Sequence, residues 1–150
     1  MNYANLVNLY FERDSALQWY WTLYVIIIGG LLAFSSLRQR PDLITAILVT
    51  VLFAFFAYKN LGAIHDVTEQ RTAAATLIRN SAPAPVSGDV TNLTQLRQTL
   101  EPTLVTPAYE GVRNFHIASD VLTIAAFWAM EYRRRRIAAA AAAAAPSRSG

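Results

Sequence analysis

The sequence predicts an all-α integral membrane protein with three transmembrane helices, an antiparallel hairpin plus a third span, and a short amphipathic N-terminal helix. Three observations carry that expectation. Two apolar runs, residues 17–37 and 43–64, are each long enough to cross a bilayer of roughly 30 Å as a helix. Only the short segment Arg38-Gln39-Arg40-Pro41-Asp42 separates them, which forces neighbouring helices to run antiparallel. The composition is 54% hydrophobic and 15% charged, against roughly 25% charged in an ordinary soluble domain, and the apolar residues come in blocks.

The first element, residues 1–14, places Tyr3, Leu6, Val7, Tyr10 and Phe11 at helical spacing with Asn2, Asn5 and Asn8 between them. This pattern predicts a short helix lying among lipid headgroups. The hairpin, residues 15–64, opens on Trp19, Tyr20, Trp21 and Tyr24, an aromatic belt of the kind favoured at the lipid–water boundary. The first run is longer than a signal-peptide core and follows the charge-mixed Phe11-Glu12-Arg13-Asp14, so it reads as an uncleaved span. Within it, Gly29 and Gly30 offer a place for a neighbouring helix to approach closely. Pro41 is expected in the first turn of the second helix, where its missing N–H is harmless, with Asp42 near that helix's positive end. That helix is expected to continue past Tyr58 and Lys59 to about Ile78.

Residues 65–112 read as an extramembrane helical loop. Pro83, Pro85 and Gly88 break the chain, and a short helix follows at 91–100, capped by Thr91 or Asn92 and ended by Pro102 and Pro107. The loop holds too few apolar residues to fold alone. A third span is expected at 113–137, most clearly at 115–130, with Trp128 and Tyr132 at its edge. Residues 138–150 begin as an Ala-rich helical extension and end as a disordered tail.

Arg38 and Arg40 fall on one side of the membrane, and Arg133, Arg134, Arg135 and Arg136 return to that side after three crossings. Basic residues favour the cytoplasmic face, so the N-terminus is expected outside and the C-terminus inside, as in a multi-pass protein of a bacterial inner membrane. The arginine run covers the whole circumference of a helix and is expected to contact anionic headgroups. The lipid bilayer is therefore one partner.

The net charge of +3 does not indicate nucleic acid, because the basic residues form no face interleaved with stacking aromatics. Cysteine is absent, which removes disulfides and thiolate chemistry. There is no Walker A, GxSxG, HExxH, EF-hand or dinucleotide fingerprint, and no internal repeat of the transporter kind. The chain is expected to be non-enzymatic and to carry no cofactor.

The third span contains an exception to its apolar character. Asp120 follows His116 by one helical turn and Arg113 by two, so one stripe presents all three. A carboxylate inside a span costs a few kcal/mol on insertion scales and calls for a partner, such as a hydroxyl, a histidine or another subunit. Arg113, His116 and Asp120, with Gly29 and Gly30, are thus candidate interaction residues. These features point to an accessory, assembly or scaffolding subunit that packs against other membrane subunits or against itself. Two alternatives remain open at this level. His65 and His116 could meet and, with Asp120, hold a metal or haem in a small redox protein. An oligomer could instead form a channel lined by the Asp120 stripe.

Overall fold

The computed structural model describes residues 3–81, 95, 98–104 and 108–144, and no strand occurs among them. Three long helices dominate: α1 (Tyr3–Leu37), α2 (Leu43–Asn80) and α3 (Tyr109–Ala144), with a 3-10 turn at Glu101–Thr103. Two of them, α1 and α2, are long and apolar enough to cross a membrane. The Pro-rich break at Pro83, Pro85 and Gly88, the cap at Thr91 or Asn92, Pro107 and the tail after Ala144 lie outside the described residues.

The expected short N-terminal helix is not a separate element. Residues 3–37 form one uninterrupted helix of 35 residues. No glycine or proline occurs before Gly29, so nothing breaks the backbone between Phe11 and Leu17. Across that junction, Gln18 Nε2 donates to Asp14 Oδ2 one turn earlier, at 3.1 Å. The continuation of α2 to about Ile78 is observed, with the helix ending at Asn80.

The turn between α1 and α2 differs in detail from expectation. Helix α2 begins at Leu43, so Asp42 is its N-cap and Pro41 precedes the cap rather than occupying the first turn. The Asp42 carboxylate accepts the N–H groups of Ile44 at 3.0 Å and Thr45 at 3.3 Å, and the Thr45 hydroxyl also donates to it. These bonds satisfy donors that no carbonyl of the helix reaches. Asp42 O accepts the N–H of Ala46 at 3.1 Å, which starts the helical ladder.

The chain forms two compact units, Met1–Trp21 with Leu61–Arg113 and Thr22–Asn60 with Asn114–Gly150. In the first, Leu6 and Tyr10 of α1 bury against Ala74, Ala75 and Ile78 of α2 and against Leu104. Alanines at 74 and 75 keep that face of α2 narrow, which lets the larger side chains of α1 sit down on it. A second cluster joins Leu17 to Ile64 and Val67, with Val112 at its side. The polar contacts follow the same pairing. Arg71 is buried and makes an ion pair with Asp14, and its guanidinium lies 5.8 Å from the Tyr10 ring centroid. Arg79 donates to the carbonyl of Leu104 at 2.8 Å. The apolar stripe of residues 3–11 is therefore largely a packing face within this unit, although Phe11 remains exposed. Of the described loop residues, Ala74, Ala75, Ile78 and Leu104 pack with the start of α1.

The second unit has a small interior and a large apolar exterior. Phe127 of α3 and Ala46, Phe53 and Ala57 of α2 are buried, whereas Val25, Ile26, Ile44, Leu52, Phe55, Val121 and Leu122 are exposed. Trp128 Nε1 donates to Thr50 Oγ1 at 3.1 Å, a polar tie between α3 and α2.

Candidate functional site

Two polar clusters join all three helices inside the second unit. The first is built from Tyr24 of α1, Asn60 of α2, and His116 and Asp120 of α3. The spacing of His116 and Asp120 puts them on one helical face, and His116 Nδ1 lies 2.9 Å from Asp120 Oδ2. The Tyr24 hydroxyl donates to Asp120 Oδ1 at 2.8 Å and approaches the carbonyl of His116 at 3.3 Å. Asn60 Nδ2 is 3.2 Å from His116 Nε2. The Tyr24 and His116 rings pack with centroids 4.1 Å apart.

One assignment of protons satisfies every group. Asn60 donates to Nε2, so the proton of a neutral imidazole sits on Nδ1 and is donated to Asp120. The acceptor-only carboxylate then receives one bond on each oxygen. His116 is fully buried, and Tyr24 and Asn60 nearly so. Buried polar groups of this kind are tolerated only when paired. The hydroxyl and histidine partners expected for Asp120 are thus Tyr24 and His116 of the same chain.

The second cluster surrounds Glu131, whose side chain is 0% exposed. Its Oε1 accepts the backbone N–H of Asp42 at 3.0 Å and bonds from Arg135. Its Oε2 accepts Arg134 Nη2 at 3.1 Å and lies 4.0 Å from Arg38 Nη1. Arg134 reaches on to the carbonyl and hydroxyl of Ser35, at the end of α1. Burial pulls the Glu131 carboxyl upward, but hydrogen bonds from Arg134, Arg135 and the Asp42 N–H outweigh it and hold the group below the usual carboxylate range. Asp42 is also held low, chiefly by the Thr45 hydroxyl and then by the Thr45 backbone N–H.

No known family model matches the chain, and no curated protein or solved structure matches it. Its function has to be read from the geometry.

The candidate residues fall into three groups. His116 and Asp120 meet as expected from their spacing. Arg113 pairs with Glu110 at 3.6 Å and belongs to the first unit. His65 also belongs to the first unit, where its ring nitrogens face Asp66 at 3.4 Å and Glu69 at 3.3 Å and its ring packs edge-on against Tyr109. Among the described residues, no group of three or more His, Asp or Glu side chains is arranged to hold a metal ion. A Cβ placed on Gly29 or Gly30 would meet nothing within 4 Å, so among the described residues no helix makes the close approach those glycines permit.

The arginine run also divides. Arg134 and Arg135 turn inward onto Glu131, whereas Arg133 and Arg136 are exposed, with Arg136 lying 6.0 Å from the Tyr132 ring centroid. Arg134 and Arg135 thus also bond within the chain, because Glu131 stands three and four residues before them on the same helix. Sequence reasoning missed Glu131, Tyr24 and Asn60 as site residues. The i, i+3 and i, i+4 relation of Glu131 to Arg134 and Arg135 was the available signal for the first. Asn60, a lone amide at the end of an apolar run, was a weaker one.

Proposed function

We propose that the chain is a three-span membrane protein that acts as a non-enzymatic accessory, assembly or scaffolding subunit of a larger membrane complex or of a homo-oligomer. One observation carries this reading: the polar side chains of the second unit close on one another, while its large apolar side chains face outward. Only 11% and 22% of the most apolar stretches of α1 and α2 is buried. Core helices of a soluble protein would be mostly covered, and an exposed apolar surface of this extent requires lipid or protein against it.

The two clusters give the reading a depth scale. Glu131 holds the α1–α2 turn, which in a membrane hairpin lies at the surface. His116 stands fifteen residues earlier on α3, about 22 Å away at 1.5 Å per residue, within a hydrocarbon core of roughly 30 Å. Its closed hydrogen bonding suits that depth. Residues 115–130 of α3 are then the clearest part of the third span, and the arginine-rich end faces the cytoplasm.

The test is extraction of the full chain in a mild detergent followed by native mass measurement. A defined oligomer or a stoichiometric complex is expected. A stable, monodisperse monomer with no co-purifying partner would overturn the subunit role.

A further inference from the structure

The outer surface of the second unit is not uniform. Between α1 and α2 lies an open apolar groove of about 580 Å³, walled by Ile27, Leu31 and Phe34 on one side and Leu52 and Phe56 on the other, with Gly30 in its floor. A Cβ at Gly30 would meet nothing within 4 Å, so the position has room for a larger side chain. The groove runs over residues 26–34 of α1, about 12 Å of helix.

Phe34 lines the groove nearest the α1–α2 turn, and the Arg38 guanidinium lies 5.6 Å from its ring centroid. Arg40 is exposed in that turn. The same end of the unit carries Arg134 and Arg135, tied to the turn through Glu131 and Ser35, and the exposed Arg133 and Arg136 beside them on α3. Among the described residues of the turn and of the α3 end, the acidic side chains are Asp42 and Glu131. An apolar channel leading into a cationic rim is complementary to an amphiphile with an anionic head. A neutral helix from a partner would fill the groove but leave the rim unmatched.

We propose that this groove is a binding site for one anionic phospholipid, with an acyl chain along Gly30 and the phosphate at the arginine rim, where Arg40 is the available cation. The site rests on the membrane-spanning reading but not on the subunit role. The experiment is native mass measurement of the full chain in mild detergent, with phosphatidylglycerol or phosphatidylcholine of identical acyl chains added in turn. Wild type is expected to keep one phosphatidylglycerol under conditions that strip phosphatidylcholine. Gly30→Leu places a side chain in open groove and is expected to lose the one-lipid species while far-UV circular dichroism stays unchanged. Arg40→Gln, which leaves the groove intact, should lower the preference for phosphatidylglycerol about fivefold.

Equal retention of the two lipids, phosphatidylglycerol binding that survives Gly30→Leu, or a lipid-free dimer that Gly30→Leu dissociates would each overturn the site. A monodisperse monomer carrying phosphatidylglycerol would overturn the subunit role and support the lipid site. A chain that stays soluble without detergent would remove the basis of both.

Discussion

The buried carboxylate of Glu131 accepts the backbone N–H of Asp42 at 3.0 Å, across 89 residues of sequence. That bond fixes α3 to the start of α2, and Arg134 extends the link to Ser35 at the end of α1. Removing the carboxylate takes the acceptor from Arg135 and the Asp42 N–H and leaves Arg134 with only the oxygens of Ser35 and Arg38. Glu131→Ala is therefore expected to destabilise the protein by about 3–5 kcal/mol, the range for breaking a buried pair. Denaturant unfolding in mild detergent measures it; a loss below about 1 kcal/mol would show the cluster to be solvated.

Acid should weaken the same end of the molecule. Glu131 and Asp42 are both held below the ordinary carboxylate range, near 4 when unperturbed. For groups lowered on folding, the stabilisation is complete above the unfolded value and disappears as pH falls through the folded one. The contribution of these two groups is thus expected to be complete above about pH 5 and to be lost progressively below about pH 4. Glu131→Gln should flatten much of that drop. An unchanged acid slope in the variant would assign the loss to other carboxylates.

Much of this architecture is legible in the residues. The apolar runs, the brevity of the turn and the extension of α2 follow from local chain chemistry, which acts over a few residues and leaves its pattern in order. The contacts that close the clusters do not. Tyr24 looks like another member of an aromatic belt with Trp19 and Trp21, and only the facing helix makes it the donor to Asp120. Glu131 looks like one charge in a charged stretch, and its burial depends on a turn 89 residues away. The N-terminal stripe shows the reverse failure. Its apolar face was visible, but whether lipid or Ala74, Ala75 and Ile78 would cover it depended on a distant part of the chain.

The packing of that stripe can be tested directly. Ile78 is fully buried against Leu6 and Tyr10. Ile78→Ala should cost about 2–4 kcal/mol through lost contacts and a residual cavity. Phe11→Ala, at an exposed position of α1, should stay within about 0.5 kcal/mol. Comparable losses at the two positions would mean that the stripe packs differently. Limited proteolysis provides a second reading, because Ile78→Ala should expose the chain near residue 80 to cleavage.

The Tyr24–Asp120 bond should behave as a coupled pair rather than as two independent side chains. Tyr24→Phe removes the hydroxyl that donates at 2.8 Å and keeps the ring against His116. Asp120→Asn keeps the shape but offers one acceptor oxygen instead of two, so the His116 and Tyr24 donors compete for it. Each substitution is expected to cost about 1–2 kcal/mol. The double variant should cost less than their sum, because the second change removes a bond the first has already broken. Cycles of this kind inside membranes average about 0.6 kcal/mol and reach about 1.7, and the buried setting of this pair favours the upper half. Strict additivity would show that the hydroxyl and the carboxylate do not meet. Coupling confined to Tyr24 and Asp120, with none to the distant Glu131, would establish the two clusters as separate fastenings of the same three helices.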